Sequence, residues 1–337
     1  MKARQSDVAR EAGVSPRTVS NVINGYPHIR PETVARVRAA IEKLNYIPNR
    51  SARTLRTGKI GIIGLAVPEL TLPYFADLAT KITTAAESRG YTILIDITEG
   101  KADRERLIAG GLRPHAIDGL ILSPLRLRAP EVDDASDGTP LVLLGEWSEP
   151  SSNHAYVGVD NIAAAGAATQ HLIELGRKRI AAIGTVPGRE GGTASQRFEG
   201  YRRAVAAAGL PVRQESVQKF NRIQGEAAME RLLDSEPRPD AVFCFNDLVA
   251  VGALATLRRR GLSVPGDVAL IGWDDIREVS YSWPPISSIR ADADQIAAIA
   301  VEMIIDQLAG NRPAELHRTV GYSLIAREST VGTVDRS

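Results

Sequence analysis

The 337-residue sequence predicts a small all-α helix-turn-helix headpiece followed by an α/β body of two parallel-sheet subdomains. Three observations carry this prediction. Near the N-terminus two short helical stretches meet through a tight turn at Gly13. Beyond Gly58, apolar runs of strand length alternate with helical stretches, the pattern of buried parallel strands. Charge is also segregated. Up to Lys59, twelve Lys and Arg stand against four Asp and Glu, a net +8, which leaves −7 for the rest of a chain whose formal total is +1. A basic end on an acidic body points to a nucleic-acid partner, although charge alone also fits a solvated face.

The first helix reads as Asp7 to Ala12, stopped by Gly13. Arg4 stands where a capping hydroxyl would serve, and Ser6 is the candidate cap in its place. Ser15 is a good N-cap for the second helix, Pro16 suits its first position, and Asn24-Gly25 ends it. Ala9, Ala12, Val14, Val19, Val22 and Ile23 share an inward face, leaving Arg17, Thr18, Ser20 and Asn21 on the outer side. Pro31 opens a third helix with Val34, Val37, Ala40, Ile41 and Leu44 at helical spacing, and Asn45 suits a left-handed end. A structural cap or a protein-binding module fits three such helices. The outward donors favour DNA, because arginine reads guanine and asparagine reads adenine in the major groove.

At these residues the chain resembles a known family. Asp7-Val8-Ala9-Arg10-Glu11-Ala12-Gly13-Val14-Ser15, Thr18-Val19-Ser20 and Asn24-Gly25 are similar to the LacI/GalR bacterial transcription regulators. Asn45-Tyr46-Ile47-Pro48-Asn49 and Ala52-Arg53-Thr54-Leu55 match that family's hinge. The resemblance implies that Pro16, Arg17 and Asn21 occupy base-reading positions, with Ser15, Thr18 and Ser20 as phosphate or packing contacts. Pro16 cannot donate a hydrogen bond, so readout falls largely on Arg17. Asn21 stands where the family often has arginine.

Residues 47–58 form the expected hinge. A helix this short is unstable alone in water. By the resemblance, two hinges pair in a dimer and enter the minor groove. Asn49, Arg50, Ala52 and Arg53 would contact DNA there, and Leu55 would be the apolar wedge at the central base step. A plain linker with Leu55 docked on the body is the alternative.

The body, 59–337, opens on the run Lys59–Val67, then a helix Tyr74–Arg89 and a strand Tyr91–Asp96. Further strands are expected at 119–122, 141–144, 180–184, 241–245 and 268–272, with helices at 161–175, 197–208, 225–235 and 247–260. Two sheets fit this length, with a cleft at the strand C-terminal ends where such folds bind ligands. The expected subdomains are 59–160 with 291–320, and 161–290 with 321–337. Asn246, Asp274 and Arg197 look like the family's effector-binding residues, Phe220 falls at a stacking position, and Tyr74 and Phe75 would line the first subdomain's side. Ser123, Glu146 and Trp147 are weaker candidates, and Asp160-Asn161 matches the family in a mainly structural position. Capping roles for Asn246 and Asp274, and a surface ion pair for Arg197, are the alternatives. Leu72 and Ala291 replace a family Asn and Gln, which removes hydrogen-bonding capacity.

Several classes are disfavoured. The sequence has no phosphate-binding Gly-Lys-Ser/Thr loop, no Gly-x-Ser-x-Gly elbow and no metal-ligand spacing among His28, His115, His154, His171 and His317. No catalytic residue, metal or cofactor is therefore expected, and a sugar-modifying enzyme lacks its constellation. Cys244 is a lone cysteine in an apolar run, which fits a reducing cytoplasm. No apolar stretch is long enough to span a bilayer. The first residues lack the apolar region of a secretory signal, unlike a sugar-binding transport protein. The last residues lack an apolar heptad, so a homodimer is expected rather than a coiled-coil tetramer. The expected partners are near-palindromic double-stranded DNA and a small polar effector such as a sugar, whose sign of action the sequence leaves open. A purine or nucleoside corepressor is the alternative.

Overall fold

The computed structural model describes residues 3–23, 26–46, 60–110, 117–145, 153–188 and 191–332. It falls into two compact units, one up to Ile60 and one from Gly61 onward.

The first unit contains α1 (Gln5–Ala12), α2 (Pro16–Ile23) and α3 (Pro31–Lys43). Val8, Ala9, Ala12, Val19, Val37 and Ala40 form its buried core, with Val14, Val22, Ile23, Ile41, Leu44 and Tyr46 packed around them. Gly13 takes φ 63° and closes α1 in the left-handed region, and Asn45 does the same after α3 at φ 45°. Ser6 does not cap α1; it lies within the first turn, and Arg4 occupies the N-cap position. The acceptor comes instead from Asp7, whose carboxylate takes the Arg4 N–H at 2.8 Å, close to the positive helix end. Arg30 precedes α3 without a side-chain cap. In α2, Ser15 Oγ accepts the Thr18 N–H at 3.1 Å, as an N-cap should. Gln5 Nε2 donates to Pro16 O at 2.6 Å and ties the first two helices together.

The second unit holds two six-stranded sheets. The first contains β1 (Ile62–Val67), β2 (Thr92–Ile97), β3 (Gly119–Leu122), β4 (Leu141–Leu144), β5 (Ala155–Val159) and β11 (His317–Val320). Their order is β11-β5-β4-β3-β1-β2, and all are parallel. The second contains β6 (Ile180–Thr185), β7 (Gln214–Ser216), β8 (Ala241–Cys244), β9 (Ala269–Trp273), β10 (Ser287–Ala291) and β12 (Tyr322–Ile325). Its order is β12-β10-β9-β8-β6-β7, parallel except where β12 runs against β10. The helices are α4 (Pro73–Glu87), α5 (Ala102–Ala109), α6 (Ala129–Ala135), α7 (Asn161–Glu174), α8 (Thr193–Ala207), α9 (Arg222–Asp234), α10 (Asp247–Arg259), α11 (Arg277–Ser280), α12 (Ala293–Leu308) and α13 (Glu328–Val331).

The chain passes between the sheets three times: from β5 into α7, from β10 into α12, and from β11 into β12. α12 brings Ile296, Ile299, Val301, Met303 and Ile304 onto the first sheet beside Phe75, Leu78 and Ile82 of α4. Each such side chain contributes about 1.5–3 kcal/mol on full burial, which makes this returning helix part of the first sheet's core. Two expected helix starts move upstream. α8 begins at Thr193 rather than Arg197. α9 begins at Arg222 because Asn221 accepts the Gln224 N–H at 2.9 Å. α9 and α10 cross closely: a Cβ on Gly225 would meet Val249 O at 2.3 Å, and one on Gly252 would meet Arg222 O at 2.0 Å. Only glycine permits that approach.

Candidate functional site

In the first unit, the outer side of α2 carries the groups that the sequence singled out. Ser15, Pro16 and Arg17 are exposed, and Thr18, Ser20 and Asn21 are half-buried. Thr18 is partly engaged, with its hydroxyl 2.9 Å from Ser15 Oγ. The Arg17 guanidinium has no ion-pair or hydrogen-bond partner among the described residues. It stands in the first turn of a helix whose opposite side buries Val19. Such a helix can present side chains to a groove while its neighbours hold its angle. Asn49, Arg50, Ala52, Arg53 and Leu55 lie outside the described residues, as do Glu146 and Trp147.

In the second unit a cavity of about 410 Å³ opens between the two sheets, within the size range of small-molecule sites. It sits at the C-terminal ends of the parallel strands, as α/β folds favour. Tyr74, Phe75, Ser123, Arg197, Phe220, Asn246 and Asp274 all line it, although they are spread over 200 positions of the sequence. The structure therefore brings together every proposed ligand-facing residue that it describes.

The walls differ chemically. Leu72, Phe75, Leu78, Leu144, Val157 and Ile296 give the first sheet's side an apolar wall, with Ser123, Arg126 and Arg128 of the segment after β3 beside it. Leu72 begins α4 without a side-chain cap. The second sheet's side presents Arg197, Asn246, Asp274 and the half-buried Phe220. Asn246 combines the two roles weighed for it. It lines the cavity, and its Oδ1 caps α10 by accepting the Val249 N–H at 2.9 Å.

Arg197 lies in the second turn of α8 and is held from several directions. Its Nε donates to Asn161 Oδ1 at 3.1 Å, an Nη donates to Phe245 O, and its guanidinium lies 4.0 Å from the centroid of the Trp273 ring. Stacking of this kind favours arginine over lysine. Asn161 is itself buried at the start of α7 and donates to Val159 O at 3.2 Å. Asp160 caps that helix through the Ala163 N–H at 2.8 Å. Asn161 and Trp273 are thus site residues that sequence reading did not assign. Both lie in stretches similar to the family: Asn161 beside Asp160, a pair matched in a mainly structural position, and Trp273 beside Asp274, which alone carries the ligand role there.

Asp274 caps no helix; the N-cap of α11 is Ile276. Instead it occupies a turn at φ 104°, followed by Asp275 at φ 51°, conformations that cost a non-glycine residue energy. The turn is tied down by three successive N–H groups. Asp274 donates to Ile289 O at 2.9 Å, Asp275 to Ser288 Oγ at 3.0 Å, and Ile276 to Asp247 Oδ2 at 2.8 Å. Asp247 is fully buried and also accepts from Ser288 Oγ at 2.8 Å. Burial pushes its carboxyl well above the usual carboxylate range, and the Asp274 charge adds to that. Gly272 leaves room for it, since a Cβ there would stand 2.1 Å from Asp247 Oδ1. Asp275 pairs with Arg290 and Arg327 on the far side. Among the described residues, no three metal-ligating side chains come together, and no helix is long and apolar enough to cross a membrane.

Comparison with known proteins locates both units. Residues 6–49 match the family of bacterial regulatory proteins of the lacI type, and residues 169–330 match a periplasmic binding protein-like domain. The HTH-type transcriptional regulator CelR of Thermobifida fusca is 34% identical over 333 residues, covering 96% of both chains. A solved transcriptional regulator CelR–cellobiose complex is 32% identical with TM-score 0.71, covering 97% of this chain and 99% of that one. A structure described as a putative LacI-family regulator from Sanguibacter keddieii is 39% identical with TM-score 0.73, covering 81% of this chain and 99% of its own.

Proposed function

The chain belongs to the lacI family of bacterial regulatory proteins, and from that premise we propose that it is a ligand-responsive, sequence-specific transcription repressor of catabolic or transport genes. The headpiece, residues 1–46, reads DNA through α2. Residues 47–58 act as the hinge, and the body senses a small polar effector such as a sugar. The observation that carries this reading is the pairing, in one chain, of an outward Arg17 on a capped helix with a cavity whose polar wall is Arg197, Asn246 and Asp274. No catalytic activity is assigned to it, and it acts in the cytoplasm, where its DNA is.

A homodimer follows from the expected near-palindromic operator, because twofold DNA sites match twofold proteins. The surface supports it. The Arg222–Glu278 pair, 3.9 Å apart, joins the start of α9 to α11, and in this region Ile223, Tyr281 and Trp283 are 74%, 77% and 72% exposed. Large apolar side chains grouped on one exposed face mark contact surfaces. Effector binding at the cleft alters the angle between the body's subdomains, and with it the spacing of the two hinges. A coupling of about 1–3 kcal/mol would change operator affinity about 5–150-fold.

The test uses the full chain, labelled duplexes from the region upstream of its own gene, and anisotropy measured with a panel of sugars, nucleosides and purines. The expected result is binding to one near-palindromic site that a member of the panel weakens or strengthens. Binding with equal affinity to all duplexes, unmoved by any ligand that raises the melting temperature, would refute the reading.

A further inference from the structure

The cavity's rim identifies a chemical class of effector, an inference that rests on reading the body as a ligand sensor. Ser123 is only 3% exposed and lines the cavity, yet its hydroxyl makes no hydrogen bond to the described residues. The segment that follows it is braced from beneath. Glu105 is fully buried and accepts the backbone N–H groups of Leu125, Arg126 and Leu127 at 2.8, 2.9 and 2.9 Å. Leu127 packs into the core, while Arg126 and Arg128 on either side of it remain exposed and line the cavity.

Neither guanidinium finds a carboxylate among the described residues. Glu105 is occupied by backbone donors. Glu131 is shared between Arg106, at 3.2 Å, and the Arg128 backbone N–H, at 2.9 Å. Asp133 lies against His154, at 2.9 Å. Among the described lining residues, three arginines (Arg126, Arg128 and Arg197) therefore stand against one carboxylate, Asp274. Arg197 is already bound to Asn161 and Phe245, so the rim pair is what offers charge to a ligand. Arginine on a fixed loop suits bidentate recognition of phosphate or carboxylate, because little ordering is left to be done on binding.

We propose that the cavity takes a small polyhydroxylated ligand bearing an oxyanion, either a phosphate monoester or a carboxylate. Arg126 and Arg128 hold the oxyanion, Ser123 Oγ hydrogen-bonds beside them, and the hydroxyl-bearing part faces Asn246 and Asp274. A neutral sugar of the same size uses only the second half of this site.

The experiment titrates the full chain with glucose, glucose phosphate, glucuronate, ribose, ribose phosphate and inorganic phosphate, following melting temperature and heat. At least one sugar phosphate or sugar acid is expected to bind about tenfold or more tightly than its neutral parent. In the Arg126→Gln/Arg128→Gln variant that preference should collapse towards unity. If this variant fails to fold, raising salt on the native chain must weaken the anion and not the parent sugar. Preference for the phosphate or for the acid identifies the headgroup, and either supports the proposal. Neutral sugars binding as tightly as their anions would overturn it, as would a preference that survives in the variant, or inorganic phosphate binding as well as glucose phosphate. Operator binding measured on the same samples separates the two levels. A neutral sugar that moves operator affinity, with anions no tighter, sinks this inference and leaves the regulator standing. An anion that binds through the rim pair without moving operator affinity does the reverse.

Discussion

Asn161 Oδ1 accepts a hydrogen bond from Arg197 Nε at 3.1 Å, joining the first residue of α7 to the second turn of α8 beside the cavity. The contact fixes which edge of the guanidinium faces inward. Asn161→Ala should therefore weaken binding of the effector that the screen returns by about tenfold, with a stability loss of about 1–2 kcal/mol. Asn161→Asp keeps the acceptor for Nε and should recover part of the affinity. Calorimetry on both variants checks this. Equal affinity for Asn161→Ala and the native chain would show that Trp273 and Phe245 position Arg197 without it.

Asp247 makes stability depend on pH in an unusual direction. Its folded-state pKa is raised above that of the unfolded chain, so its contribution is fully present below the unfolded value and is lost as pH rises through the folded one. Asp247→Asn retains an acceptor for the Ile276 N–H and removes the group that ionises. The variant should melt at or above the native temperature at alkaline pH and show a flatter pH profile. Asp247→Ala leaves the Ile276 N–H without its partner, and a loss of about 2–4 kcal/mol is expected. Thermal melts across the pH range test both. A native profile that rises from neutral to alkaline pH would contradict the assignment.

These two residues also show where the sequence could be read and where it could not. The runs at 62–67, 119–122, 141–144 and 241–244 announce buried strands because almost every residue in them is apolar. β10 hides, because Ser287, Ser288 and Arg290 look like loop chemistry. The two serines are buried only because Asp247, Ser329 and Thr330 satisfy them from distant positions. α12 is hard to read for the opposite reason: a helix buried on most sides has little polar face to set its period. In the site, Asn246 and Asp274 were legible as polar residues following apolar runs. Nothing in the sequence singles out Arg126 and Arg128, which only the fold sets on the cavity's rim.

Leu55 lies outside the described residues, so its prediction stands on the hinge motif. If Leu55 is the wedge that the hinge motif implies, it would help bend the operator, at an unstacking cost of a few kcal/mol that the bent contacts would offset. Leu55→Ala should lower both the bend and the specific affinity while leaving the effector cavity intact. Circular-permutation mobility of a bound operator fragment measures the bend. Equal bending by the variant would return this segment to a plain linker.

Arg17 stands exposed in the first turn of α2, with Pro16 before it unable to donate a hydrogen bond. Guanine recognition through one bidentate arginine is worth about 1–3 kcal/mol of discrimination per contact, and a dimer presents two such contacts. Arg17→Ala should thus reduce the preference for the operator over unrelated duplex by one to several orders of magnitude. Lys2, Arg4, Arg30, Arg36 and Lys43 keep the headpiece basic, so a residual, strongly salt-dependent affinity should survive. Competition binding at two salt concentrations separates these effects. If Arg17→Ala weakens all duplexes alike and leaves their ranking unchanged, Arg17 is a phosphate contact, and base readout must pass to Asn21.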